Sequence, residues 1–337
     1  MDPGQRHRAE WLARTYGLAR ATDLTLVARG AMGEVYRLAT ATAPVAAKRL
    51  FWTDPAEQDV ELEVGFVDRC RAAGVAAPRS VRSTAGPLVA EAADGSRWRV
   101  SEWVEGRVPE ASDLAAACWV AEQAASIHRM AEPVGAACLD PWYWRSEVDW
   151  ARLGARAGAA GMPWAEELAE RAPDLTSLGR SATDVPVGQL VRSHCDLSVA
   201  NTLAAGDRRW LVDWDNVGPA EPWRELGAML IGYWQAPAAL SAVIDAYARS
   251  GGAELPCDAT LFATGVCVWL NFLAEQTGVL LDPASEPGAR AFARPVVTEL
   301  LANVPTWVDL ERAAAGVPGA ARGLRPVPVS RPAARPA

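Results

Sequence analysis

The chain has 337 residues, half of them hydrophobic and 22% charged, a globular composition that excludes a wholly disordered protein. With 41 acidic against 33 basic side chains the formal net charge is −8, which disfavours a general nucleic-acid binder and suits a cationic small partner better. No apolar run reaches the ~20 residues that cross a bilayer, the opening MDPGQRHRAEWLARTYG lacks the apolar core of a signal peptide, and six scattered cysteines without a C-x-x-C pair point to reduced thiols in a cytoplasmic protein.

Residues 5–20 place Trp11, Leu12, Tyr16 and Leu18 at the spacing of a short amphipathic helix. LTLVARGAMGEVYRL, residues 24–38, reads as strand, glycine turn, strand, with Gly30, Gly33 and Val35 forming G-x-x-G-x-V. After a turn at Ala43–Pro44, VAAKRLF (45–51) reads as a third strand that carries Lys48. Lys48 is the only lysine of the chain; every other Lys or Arg position is arginine. A sequence so biased keeps a lysine where a wide planar fork fails and a compact ammonium is needed. A glycine turn between strands, followed by a lysine in a V-A-x-K strand, is the arrangement of the protein-kinase nucleotide pocket, where the lysine meets the α- and β-phosphates. The dinucleotide fingerprint fits poorly, because a strand and not a helix follows the glycines.

DPAEQDVELEVGFVDRCRAAG (54–74) has Val60, Val64 and Val67 at helical spacing, Asp54 and Pro55 as cap and first turn, and Gly74 as stop. Glu61 and Glu63 are the candidates to pair with Lys48, with Glu63 preferred. PLVAEA (87–92) and SRWRVSEWVEG (96–106) read as two more strands, the second ending at Gly106 and Pro109, a natural lobe boundary whose backbone can meet an adenine edge. From Asp113 to about Ala131 an alanine-rich helix is expected, capped by Ser112 or Asp113, with His128 as a packing or capping residue. Residues 141–180 read as short helical pieces without assignable chemistry.

The chemistry-bearing stretch is VRSHCDLSVANTLAAGDRRWLVDWDNVGPAEPWRELG, residues 191–227. His194, Cys195 and Asp196 precede Asn201, and Asp213 and Asp215 follow a short apolar strand. The turn GDRR (206–209) joins TLAA to WLVDW, so one hairpin would bring Asp196, Asn201 and Asp213 together. Phosphoryl transfer needs such a set: an aspartate at the acceptor hydroxyl, and an amide oxygen and a carboxylate on magnesium. The order glycine loop, lysine, helix glutamate, hinge, H-C-D-x-x-x-x-N and D-x-D resembles the aminoglycoside phosphotransferase and choline kinase superfamily, from about residue 20 to 235.

The resemblance implies an α+β, bilobal, protein-kinase-like fold, with a β-rich N-lobe over 1–104 and a mostly helical C-lobe over 105–315. It implies ATP and Mg2+ as cofactors, Asp196 as catalytic residue, Asn201 and Asp213 as metal ligands, and a Lys48–Glu63 ion pair that holds ATP. Glu102 and Val104 would offer hinge backbone groups, and His194 and Asp215 would support the catalytic loop. Cys195 stands where the family has glycine, so a glycine-like backbone angle would be lost, and Glu225 stands where an aspartate is usual. The acceptor would be a hydroxyl of a small molecule, an aminoglycoside-like antibiotic or natural-product intermediate. A Ser/Thr kinase acting on a peptide and a nucleotide-binding pseudokinase scaffold are the alternatives.

Helices follow over 226–312. By the same resemblance Trp234, Trp269 and Asn271 line an acceptor pocket or else are core, and Glu221, Asp282 and Glu286 attract a cationic substrate or are solvated surface charge. Residues 316–337, rich in proline and arginine, read as a disordered tail.

Overall fold

The computed structural model describes residues 3–30, 32–51, 57–135 and 140–317; Asp54, Pro55 and residues 318–337 lie outside the described set. In chain order the elements begin with α1 (Pro3–Thr15), β1 (Ala21–Arg29), β2 (Gly33–Thr40), β3 (Val45–Leu50), α2 (Glu57–Ala72), β4 (Ser80–Val81), β5 (Val89–Glu91), β6 (Arg97–Glu102) and α3 (Leu114–Met130). Then come α4 (Trp150–Ala159), α5 (Ala165–Thr183), β7 (Val191–Ser193), β8 (Thr202–Ala205), β9 (Arg208–Leu211) and β10 (Gly218–Ala220). The chain closes with α6 (Pro222–Leu230), α7 (Pro237–Arg249), α8 (Ala263–Leu281), α9 (Pro287–Asn303) and α10 (Trp307–Ala315). No helix among the described residues is long and apolar enough to cross a membrane.

Two compact units emerge. The first takes Met1–Ala116, His194–Gly218 and Asp282–Pro295; the second takes Ala117–Ser193, Pro219–Leu281 and Val296–Ala337. The H-C-D-x-x-x-x-N and D-x-D segments thus belong to the same unit as the N-terminal sheet.

The first unit is built on an antiparallel sheet of order β1-β2-β3-β6-β4, with β5 also on β6. Residues directly opposite in such a sheet share a face. The register pairs Tyr36 with Ala47 and Ala47 with Val100, and these side chains pack with Ala9 and Leu12 of α1, and with Tyr16 just past it, around Trp98. The Tyr16 hydroxyl closes this core by donating to the carbonyl of Trp98 at 2.6 Å. One residue along, the same register sets Val35, Lys48 and Arg99 in a row on the opposite face. Alternation along three strands therefore separates an apolar face under α1 from a charged one.

Gly33 is where the glycine turn needs glycine, since a Cβ there would stand 2.4 Å from the carbonyl oxygen of Arg49. The second hairpin, β8 with β9, turns at Gly206 with φ 58°. It is tied to the end of the sheet by a pair of backbone bonds between Arg107 and Ala204 (3.0 and 2.9 Å) and by Leu211 N–H to the Ala76 carbonyl at 2.8 Å.

The second unit is helical. Leu175 of α5, Leu226 and Leu230 of α6 and Leu270 of α8 are fully enclosed. Gly227 lets α6 approach the chain before α8 so closely that a Cβ would lie 1.8 Å from the Leu261 carbonyl oxygen. The pieces expected over 141–180 are longer than read: α5 runs through Pro173.

Candidate active site

Lys48 stands on β3 with its ammonium 2.6 Å from Asp213 Oδ1 and 2.7 Å from Asp215 Oδ2. Burial pulls the ammonium pKa down, but the two carboxylates outweigh it and hold it above the ordinary lysine value. Arg99, opposite Lys48 on β6, donates to both oxygens of Glu63 at 2.6 and 2.9 Å and to Asp215 Oδ1 at 2.8 Å. The expected Lys48–Glu63 pair is therefore not formed. The planar guanidinium matches the Glu63 carboxylate in a two-point fit that an ammonium cannot make, and Lys48 turns to the two aspartates. The other candidate, Glu61, pairs with Arg82. Burial also works against the charge of Asp215, but Arg99 and Lys48 prevail and keep its carboxyl below the usual carboxylate range.

The hairpin expectation holds in its geometry. Asn201 donates its amide to the main-chain oxygen of Asp196 at 2.8 Å and to Asp196 Oδ2 at 2.9 Å. Val212 N–H donates to the Asn201 carbonyl at 2.9 Å, which sets Asp213 beside that loop. Asn216 adds a longer bond to Asp196 Oδ2 at 3.4 Å. The His194 ring accepts from Asp196 N–H at Nδ1 (3.3 Å) and lies 3.2 Å from the Val212 carbonyl at Nε2. This pattern selects the tautomer with the proton on Nε2. His194 packs on Trp214, with ring centroids 4.5 Å apart, and Trp214 meets Phe66 of α2 edge to face at 6.4 Å. The helix that carries Glu63 is thus joined to the His194–Asp215 segment by three rings.

Cys195 and Asp213 are the only non-glycine residues with positive φ among the described residues, at 62° and 61°. Cys195 keeps the glycine-like angle that its substitution for glycine was expected to lose. Such left-handed residues cost free energy and concentrate at functional sites.

Gly30 and Gly33 close the glycine turn with Gly30 N–H on the Gly33 carbonyl at 2.9 Å. Val35 lies directly opposite Lys48. At the end of β6, Glu102 gives its N–H to the Arg79 carbonyl at 2.8 Å, and Val104 follows just past the strand. Glu221 is not a surface charge: it is buried against Arg224 at 3.2 Å. Asn271 is structural, donating to the carbonyls of Trp142 and Arg145 at 2.7 and 2.6 Å. Arg99 is the site residue that sequence reasoning missed. Its only signal is the alternation in RWRVS, which becomes informative once β6 is registered on β3.

The donor chemistry suits a hard divalent cation. The Asn201 nitrogen is committed to Asp196, so its oxygen is the atom left for a metal, and Asp213 adds a carboxylate with 39% of its side chain exposed. Magnesium needs only one or two protein oxygens beside water and phosphate. No group of three His, Cys, Asp or Glu side chains gathers for a metal among the described residues.

Residues 23–258 match the model of the phosphotransferase enzyme family, and the chain belongs to that family. It is a phosphotransferase whose acceptor is a hydroxyl group. Its α+β kinase-like fold is shared with a spectinomycin phosphotransferase solved with ADP and spectinomycin (TM-score 0.66, 12% identity, covering 94% of this chain and 100% of that one). An amicoumacin kinase solved with AMP-PNP and Ca2+ is similar at TM-score 0.60 and 14% identity over 90% and 95% of the two chains. A microcompartment-associated aminopropanol kinase is similar at 0.62 and 18% over 92% and 98%. No curated protein matches the chain in sequence.

Proposed function

We propose that the protein transfers the γ-phosphoryl group of ATP, with Mg2+, to a hydroxyl of a small molecule, an aminoglycoside-like antibiotic or a natural-product intermediate. The observation that carries this reading is the meeting, in one compact unit, of Lys48 with Asp213 and Asp215 beside the bonded pair Asp196–Asn201.

Gly30, Gly33 and Val35 would cover the phosphates, Lys48 would face the α- and β-phosphates, and the backbone at Glu102 and Val104 would meet the adenine. Asp196 would orient the acceptor hydroxyl and take its proton. Asn201 and Asp213 would hold the cation, which when bound offsets phosphate charge. Little covalent chemistry falls to the protein; positioning and electrostatics do the rest. The net charge of −8 favours a cationic acceptor. With no disulfide among the described cysteines, a reducing, cytoplasmic setting fits.

Purified protein with labelled ATP and Mg2+ against a panel of aminoglycosides, amino alcohols and peptides tests the reading. Transfer to a small hydroxylated amine supports it. Transfer only to peptides replaces the acceptor class, and nucleotide binding without transfer to any acceptor or to water turns the chain into a scaffold.

A further inference from the structure

We propose that Arg99 is a positioning residue for Lys48, and that Glu63 acts on this lysine chiefly through Arg99 and Asp215. The inference deepens the phosphotransferase reading and rests on it for the role of Lys48.

Five charged groups alternate in sign along one connected path. Glu63 takes a two-point grip from Arg99, Arg99 reaches Asp215 Oδ1, Asp215 Oδ2 reaches Lys48, and Lys48 ends on Asp213. Asp215 is thus held by one oxygen and holds by the other. A lysine head on a four-carbon stem has no preferred direction of its own, so a fixed carboxylate must supply it. Asp213 is the more exposed of the two partners and is the candidate cation ligand. That leaves Asp215 to fix the ammonium, and Arg99 to fix Asp215.

The register argues that Arg99 is there for more than packing. Lys48 and Arg99 are direct cross-strand partners on one face, where like charges repel. The arrangement holds because Asp215 stands between them. A neutral side chain opposite Lys48 would avoid the repulsion altogether, but it would leave both Glu63 and Asp215 without their guanidinium. A lysine at 99 cannot serve two carboxylates with a planar fork.

The lone lysine makes the test direct. Protein grown with 15N-lysine gives a single Nζ signal, readable without nucleotide. Arg99→Met and Glu63→Gln should each move that signal, while Glu63→Gln in the Arg99→Met background should move it much less than in wild type. In assays, Arg99→Met should raise KM for ATP by about tenfold or more with a much smaller fall in kcat, and Arg99→Lys should not restore it. The proposal is overturned if Glu63→Gln moves the signal equally with and without Arg99, or if Arg99→Met leaves both signal and KM unchanged. Should Arg99→Met fail to fold, Arg99→Gln, which adds no second lysine, takes its place in the same comparison. A wild-type protein that transfers no phosphoryl group removes the phosphotransferase reading, yet the Nζ comparison still decides whether Glu63 reaches Lys48 through Arg99.

Discussion

Two polar networks in this chain use similar residues to different ends. In the first unit Glu63, Arg99, Asp215, Lys48 and Asp213 form a path that reaches solvent, with 39% of the Asp213 side chain exposed. In the second unit His128 bridges Tyr247 (2.7 Å) and Glu225 (2.5 Å), and Glu225 also accepts from the Ser193 hydroxyl. The His128 and Glu225 side chains there are only 2% and 3% exposed. A charged network open at one end can exchange a partner for an incoming phosphate or cation. A sealed one can only hold the fold, and Ser193 at its edge is the residue before His194. The contrast separates a site from a scaffold even though both contain acids, a base and hydrogen bonds.

The sealed network should break hardest. Glu225→Ala leaves the His128 ring and the Ser193 hydroxyl without their buried acceptor, and should cost about 2–4 kcal/mol of stability. Urea unfolding should show a lower midpoint at constant slope. A loss under about 1 kcal/mol would erase the distinction between the two networks.

At the open site the expected damage is to chemistry. Asp196→Asn keeps the shape and its bond from Asn201, and should lower turnover at least ~100-fold while ATP binding and stability stay close to wild type. Turnover unchanged in that variant would remove Asp196 from its role. Lys48→Arg is the milder and sharper test. The guanidinium is too broad for the place where one ammonium meets Asp213 and Asp215, so kcat/KM should fall by about tenfold, mostly through KM for ATP. Wild-type kinetics would show that the single lysine carries no special requirement.

The sequence-visible parts of this site are those governed by local rules. Strand alternation and the Gly30–Gly33 turn announced β1 to β3, and the GDRR turn announced the hairpin that gathers Asp196, Asn201 and Asp213. The Glu63–Arg99 pair was hidden because it depends on the register of β6 on β3, set by strands far apart in sequence. Charge type alone suggested Glu63 to Lys48; geometry gave the fork to Glu63 and the ammonium to the aspartates. Glu221 misled for a related reason, since a glutamate reads as surface until Arg224 is found beside it. Strands of two or three residues such as β4 and β7 are too short to show a period at all.

The two left-handed residues extend the comparison to the backbone. Cys195 and Asp213 share nearly the same φ, but their side chains are committed differently. Asp213 binds Lys48, so its left-handed angle accompanies a carboxylate of the charged path. Cys195 carries no assigned chemistry, and glycine reaches the same angle freely. The left-handed conformation costs a residue with a Cβ about 1–2 kcal/mol, while glycine loses about 0.4–1 kcal/mol more entropy on folding. Cys195→Gly should therefore change stability by less than about 1 kcal/mol, the relieved angle offset by the loss of a half-buried thiol, and leave kcat within about twofold of wild type. Thermal unfolding and steady-state rates of that variant check both. Asp213→Gly relieves the same angle and should nonetheless abolish transfer, since it removes the carboxylate proposed for the cation and one of the two partners of Lys48. If Cys195→Gly loses activity as Asp213→Gly does, the cysteine side chain belongs to the site after all.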